Sequence, residues 1–323
     1  YDDQSRPDVA RALYDKLVTG DKVDLLMGPY ATGAILSAIA VAERHSRLLV
    51  HHTFGIPKLA KYATQFSGNP SGFDFETTFP NKVIDGIMSG DKKPKTIAII
   101  TSKFSSVHFM SVGLREVAKK RGLQEVLYLE FEFGNRDFGP IAARVRDANA
   151  DFLWMGAIGL EGNMLLEALK KLDHTPRNHF HLYPAPGPLA NAPEGNLAMA
   201  QTAFEDHAPL NTSPVAAAFT KAFKERAIKA NLPYVEADNQ ASNSYTAWQV
   251  LEAAVTATKS LDDNVLAKYI KANRFNTVNG TLRFDGANNY GDDLSKVKQV
   301  QNGKWVVVWP PEFAPPGTKI ILR

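Results

Sequence analysis

Between residues 95 and 183, short apolar runs alternate with amphipathic stretches in regular succession, and few architectures bury both kinds of segment at once. The runs at 96–101, 126–133, 151–155 and 179–182 are short, apolar and bounded by turn residues, which predicts strands. Between them, 110–121 (stopped by Gly122), 141–148 and 163–172 carry apolar residues at helical spacing. Four strands with three intervening helices predict a parallel, doubly wound α/β sheet, because each crossover must lay its helix on a face of the sheet.

The chain opens in the same way. Ser5 and Asp8 flank Pro7, and Val9, Leu13 and Leu17 come next at four-residue spacing, predicting a capped amphipathic helix that Gly20 closes. A strand over 23–27 ends at Gly28-Pro29, a helix is expected over 33–45, and 48–50 starts another strand. Residues 52–80, with Gly55, Pro57, Gly68, Pro70, Gly72 and Pro80, read as loop carrying the chain from one core to another, with a boundary near Phe79. From Pro214 three apolar stripes predict helices: Val215, Phe219 and Phe223; Tyr245, Trp248 and Leu251; Val265, Leu266, Tyr269 and Ile270. The end returns to strands at 280–285, 297–301 and 304–309, with Asn302-Gly303 as a hairpin turn; Trp154, Trp248, Trp305 and Trp309 are expected to be packing residues.

Composition narrows the function classes. With 323 residues, 44% of them hydrophobic, the chain holds about two domains' worth of core, which excludes disorder and fibre. Its apolar runs stop far short of the roughly 20 residues a bilayer span needs. The 37 Lys+Arg and 34 Asp+Glu are scattered, so no nucleic-acid partner is expected. The absence of Cys removes disulfides, thiol catalysis and Cys-ligated zinc, and leaves the compartment open.

Motifs for chemistry are missing as well. The segment Gly28-Pro29-Tyr30-Ala31-Thr32-Gly33 matches neither a dinucleotide fingerprint nor a phosphate loop. There is no nucleophile elbow, no zinc-protease motif and no calcium loop, so neither catalysis nor a cofactor is expected. His179 and His181 share one face of a predicted strand and His51 and His52 are adjacent, but no third ligand is near either pair, so metal binding is not expected.

Small and polar residues do gather at the carboxyl ends of the predicted strands, where ligands settle in open α/β sheets. Five such loops come after Met27, Val50, Thr101, Met155 and Leu182. From the first two, Tyr30, Ala31, Thr32, His52, Thr53, Phe54 and Gly55 are candidate ligand-binding residues; from the other three, Ser105, Ser106, Ile158, Glu161, Tyr183 and Ala185. Thr32 and the first amides of its helix would suit a carboxylate, although Thr32 is also an ordinary helix N-cap, an ambiguity that Ser105 and Ser106 share. Tyr30, Phe54 and Tyr183 are either walls of a ligand cleft or core aromatics. Glu161 is the one acid at these strand ends, to be weighed against a solvated loop carboxylate.

The run VDLLMGPYATGAILSAIAVAERH, preceded by YDDQSRPDVARALYDKLVTGDK, resembles the leucine/isoleucine/valine-binding family of periplasmic solute receptors, the type I binding proteins that serve ABC importers. The resemblance continues through PKTIAIITSK, RDFGPIAARVRDANADFLWMGAIGLEGNMLLEAL, SYTAWQVLEAA and FNTVNGTLRFDGANN, in that family's order and spacing. It implies two α/β lobes joined by crossing strands, closing over a ligand in an interlobe cleft and presenting it to a membrane permease. Lobe 1 would comprise 1–78 and 208–292, and lobe 2 would comprise 79–207 and 293–323. By position, Thr32 matches the hydroxyl that holds the ligand carboxylate, Thr53 to Gly55 the backbone segment lining the pocket, and Ser106 and Ile158 the contributions of the other lobe.

Two departures sharpen the reading. Amino-acid receptors of that family place an acid in the loop after the strand at 179–182 to meet the ligand ammonium, but here the loop reads Tyr183-Pro184-Ala185-Pro186. A buried ammonium without a carboxylate costs several kcal/mol, so the resemblance implies a flat carboxylate of benzoate or cinnamate type. The family also opens with a strand and helix before the residues matching Tyr1-Asp2-Asp3, so lobe 1 is expected to lack its first strand. The chain is thus expected to be an exported, periplasmic, monomeric receptor, its leader peptide removed, that performs no chemistry. The alternatives are a branched-chain amino acid receptor with Glu161 taking the ammonium, the sensor domain of a regulator, or an α/β enzyme.

Overall fold

A computed structural model describes all residues from Tyr1 to Arg323. The chain divides into two compact units, Tyr1–Phe75 with Asn239–Leu294 and Glu76–Asp238 with Ser295–Arg323. No helix is long and apolar enough to cross a membrane.

The first unit begins with α1 (Pro7–Thr19), β1 (Leu26–Met27), α2 (Thr32–Arg44), β2 (Leu49–His51) and β3 (Gln65–Ser67), whose strands form a parallel sheet in that order. Alternation along the strands divides its core. Leu49 and Leu26 face α1 and α2 with Tyr14, Ile35 and Ile39, while Leu48, Val50 and Phe66 pack with Ala247, Leu251, Leu266 and Ile270 from later in the chain. Ser5 does not cap α1: Arg6 occupies the N-cap without a side-chain bond, and Pro7 opens the helix. Gly28 is required by a close approach, since a Cβ there would lie 2.3 Å from the Cβ of His51 and 2.8 Å from its Cα. Gly28→Ala should therefore push β1 and β2 apart and cost about 1–3 kcal/mol, the range for overpacking, readable as a shift in urea midpoint. An unchanged midpoint would mean the strands yield freely.

The second unit starts within α3 (Phe75–Met88), at Glu76, followed by β4 (Thr96–Ser102), α4 (Ser105–Lys120), β5 (Gln124–Phe131), α5 (Gly139–Ala148), β6 (Phe152–Gly159), α6 (Glu161–Lys170) and β7 (His179–Pro184). It continues through α7 (Pro186–Asn191), β8 (Met199–Thr202) and α8 (Pro214–Lys229). The loop expected up to Pro80 thus contains β3 and the first turns of α3, with Pro80 inside that helix. Residues 208–238 are expected in lobe 1 from sequence, but α8 belongs to the second unit, where Phe219 meets Phe204 edge-on at 5.9 Å.

The chain then returns to the first unit with α9 (Asn239–Thr258), α10 (Asp263–Ala272) and the antiparallel pair β9 (Arg274–Thr277) and β10 (Gly280–Arg283). Trp248 on α9 is 55% exposed and is not a packing residue, whereas Trp154 and Trp305 are buried. Finally β11 (Lys296–Gln301) and β12 (Lys304–Trp309) form a hairpin across Asn302 (φ 54°) and Gly303 (φ 73°), both left-handed as a two-residue turn of this kind requires. They join the second unit's sheet, whose order is β12-β11-β8-β7-β6-β4-β5. Its five strands from β5 to β8 are parallel, and β11 and β12 are antiparallel.

Candidate functional site

In the second unit the chain passes from β4 outward to β5 and then returns to the other side of β4 as β6. This reversal opens a crevice between the carboxyl ends of β4 and β6, where doubly wound sheets take their ligands. Ser105 and Ser106 come after β4, Ile158 is the last residue but one of β6 and Glu161 opens α6, so four of the expected residues flank the crevice. Tyr183 pairs with Ile158 on the neighbouring strand, and the Ala185 amide donates to the Gly159 carbonyl at 2.9 Å.

The two serines are not caps. Phe104 occupies the N-cap of α4, its amide donating to the Ser102 hydroxyl at 3.2 Å, while Ser105 is exposed and Ser106 buried. Glu161 is not a solvated loop carboxylate either, for it is 4% exposed. One carboxylate oxygen accepts from the Gly134 amide at 3.1 Å and the other from the Ile158 amide at 3.2 Å. Burial nevertheless raises its pKa above the usual carboxylate value, more than the two amides lower it.

In the first unit the turn from β1 into α2 places Ala31 at φ 71°, ψ 148°, a conformation that favours glycine and costs a residue with a Cβ about 1–3 kcal/mol. Thr32 is therefore the first helical residue rather than the cap. Its side chain is fully buried, and its Oγ1 accepts a hydrogen bond from the Gly55 amide at 3.0 Å. This bond joins the loop after β1 to the loop after β2 and leaves the hydroxyl proton to be donated elsewhere. Tyr30 is 44% exposed and lies 6.0 Å from the His52 ring, with His52 Nδ1 in turn 3.1 Å from the Thr53 hydroxyl. Desolvation pulls the His52 pKa down to about 4, so its ring is neutral at pH 7. Phe54 differs from the expectation of a wall. Its ring is fully buried in the core, edge-on to His51 at 5.6 Å, so only the backbone of this segment is available.

The histidine pairs have internal partners. His51 Nε2 lies 2.7 Å from Gln65 Oε1, and His179 Nδ1 lies 2.9 Å from His181 Nε2. No cluster of three His, Cys, Asp or Glu side chains is arranged to hold a metal ion. Sequence reasoning passes over Phe104 and Phe133, which lie beyond β4 and β5 with ring centroids 4.8 Å apart. Their only sequence signal is an aromatic residue close behind each strand.

Two α/β units, each with small and polar residues at the carboxyl edge of its parallel strands, have the fold of the type I periplasmic binding proteins. A structural comparison agrees: the chain superposes on a benzoate-bound ABC-transporter solute-binding protein from R. palustris with a TM-score of 0.78, at 18% identity over 95% of this chain and 82% of that one. A leucine-binding protein from Thermotoga maritima also gives 0.78, at 19% identity over 95% and 85%. In sequence, the chain is 23% identical to the Leu/Ile/Val-binding protein of Escherichia coli over 294 residues, 88% of this chain and 74% of the relative. Residues 1–304 match the family profile described as periplasmic binding protein, and the chain belongs to that family.

Proposed function

We propose that this chain is the solute receptor of an ABC importer, exported to the periplasm, and that it captures a small carboxylate, an aromatic acid of benzoate or cinnamate type before an amino acid. It acts as a monomer and hands its ligand to a membrane permease. The observation that carries the reading is Thr32, whose Oγ1 accepts from the Gly55 amide and whose remaining hydrogen can meet a carboxylate beside the first amides of α2, which lack partners within the helix. Ser106, Ile158 and Tyr183 are assigned to the same ligand's recognition, with Tyr30, Ala31, His52 and Thr53 around its head group.

The choice of acid rests on charge. The segment from Tyr183 to Ala185 has no carboxylate, and both oxygens of Glu161 already accept backbone amides. An ammonium would find there only the second lone pairs of a buried carboxylate that already accepts two amides, and burying it poorly paired is costly. The rival is a branched-chain amino acid receptor, favoured by the names of the sequence relatives, in which Glu161 would take the ammonium with its remaining lone pairs.

Thermal-shift assays with aromatic acids, branched-chain amino acids, amides and aliphatic acids separate the two. At 100 times its dissociation constant a ligand adds about 2.7 kcal/mol to the native state, and for a chain of this size that raises the melting point by roughly 5–10 °C. A response to leucine or valine with silence from every aromatic acid would sink the aromatic reading. Thr32→Val should weaken binding of the responding acid by roughly 1.5–3 kcal/mol in calorimetry, as for a hydrogen bond to a charged group. Undiminished affinity would return Thr32 to a purely structural role.

A further inference from the structure

Across the second unit's sheet, the adjacent parallel strands β5, β4, β6 and β7 each carry an apolar side chain near the carboxyl edge: Phe133 two residues beyond β5, Phe104 two residues beyond β4, and Ile158 and Tyr183 one residue before the ends of β6 and β7. Such a row is unusual on an exposed rim. Phe133 is 54% exposed, although a phenylalanine side chain has no polar atom to gain from water. The pair at the β4 and β5 end is also held firmly. The Phe104 and Phe133 rings sit 4.8 Å apart at 46°. The residues just before them, Lys103 and Glu132, form an ion pair at 2.5 Å, and the Lys103 amide continues the ladder onto the Phe131 carbonyl at 2.8 Å. The residue just after Phe133, Gly134, is tied through Glu161 to the Ile158 amide. The buried carboxylate therefore fixes the β5 loop against the turn that carries Ile158.

We propose that Phe104 and Phe133 form an aromatic platform that selects the flat body of the solute, with Glu161 as the positioning residue that fixes the platform against Ile158. This deepens the carboxylate reading and rests on it: Thr32 takes the head group, and the platform sets which body is accepted. An aromatic ring stacks edge-on or offset on such a pair at a cost in exposure that the free protein already bears. Glu161, with its oxygens on two amides, contributes by holding loops and does not contact the ligand.

Benzoate and leucine serve as probes in calorimetric titrations of the wild-type chain, Phe104→Ala, Phe133→Ala, Phe133→Tyr, Glu161→Gln and Thr32→Val. Far-UV circular dichroism and melting confirm folding, which the partly exposed positions of both rings favour. Benzoate affinity should fall about ten-fold in each Phe→Ala variant and recover in Phe133→Tyr, which keeps the ring. Glu161→Gln keeps only one oxygen acceptor and should weaken benzoate several-fold while leaving the folded state intact. If Thr32→Val loses benzoate and the Phe→Ala variants bind it as tightly as wild type, the platform is overturned and the carboxylate site stands. If the wild-type chain binds leucine and not benzoate, or binds neither, the platform falls with the preference for benzoate.

Discussion

Lys298→Met, with Glu205 left in place, should destabilise the second unit by about 3–5 kcal/mol, as for breaking one side of a buried ion pair. Lys298 on β11 and Glu205 just beyond β8 meet at 2.6 Å, their side chains only 4% and 5% exposed. The ammonium also lies 4.6 Å over the Trp305 ring, and the Thr202 hydroxyl sits 3.0 Å from the same Glu205 oxygen. Even with these partners burial raises the Glu205 pKa, and the Lys298 ammonium is the charge that opposes this burial penalty. Without Lys298 the carboxylate must take up a proton or remain buried and unpaired. The deficit should therefore be largest near pH 8 and shrink as the pH falls. The double variant Glu205→Leu with Lys298→Met removes both charges and should recover most of the loss. Urea denaturation of the wild type and the two variants at pH 8 and pH 6 checks this. A single variant as stable as wild type at pH 8 would show that the pair is solvated.

How far the sequence could anticipate this molecule depended on whether a segment's own pattern outweighed its surroundings. The helices α2, α4, α5 and α6 lie within a few residues of where apolar spacing puts them, because each must present one stripe to the sheet. β3 escaped notice because two of its three residues are polar. Gln65 and Ser67 are buried all the same, since His51 Nε2 and the Ala60 and Asn288 carbonyls satisfy the Gln65 amide. Pro80 hid α3, yet Phe79, Val83, Ile84 and Ile87 bury one face of that helix and outweigh the lost hydrogen bond. β8 has no β-branched residue before Thr202 and is fixed by neighbours on both sides.

At the candidate site the strand-end rule derives from topology alone, and the loops it names do follow the carboxyl ends of parallel strands. It could not reveal what each side chain does. Thr32 is one residue inside its helix, Phe54 turns into the core and Glu161 turns inward onto two amides, and all three outcomes are set by tertiary packing that no local spacing records.

Acid should begin to destabilise this chain at a pH above the ordinary carboxylate range. His51, His179 and His181 are at most 2% exposed. Desolvation lowers His51 and His179 to about 4 and His181 well below its ordinary value. In the unfolded chain each would titrate near 6.5. Below that pH the unfolded state binds protons that the folded state refuses, so stability is fully present at pH 7 and is lost as the pH falls from about 6.5 toward 4. At pH 5 a ring whose pKa lies near 4 costs about 2 kcal/mol relative to neutrality, a sizeable part of a domain's stability. Direct geometry supports the refusal. His179 Nδ1 and His181 Nε2 share one hydrogen bond at 2.9 Å, so protonating whichever nitrogen accepts would set two donors against each other. Gly162 closes over the outer side, where even a Cβ would come within 2.3 Å of His181 Nδ1, so the ring cannot swing out without lifting α6. Urea midpoints should therefore fall between pH 6.5 and pH 5, in the first unit through His51 and its neighbour His52, whose pKa desolvation also lowers to about 4, and in the second through the pair. His51→Gln should flatten part of the first unit's dependence, leaving the share of His52, and should not change the second unit's. A midpoint unchanged over that interval would mean that these rings reach solvent and titrate as free histidines.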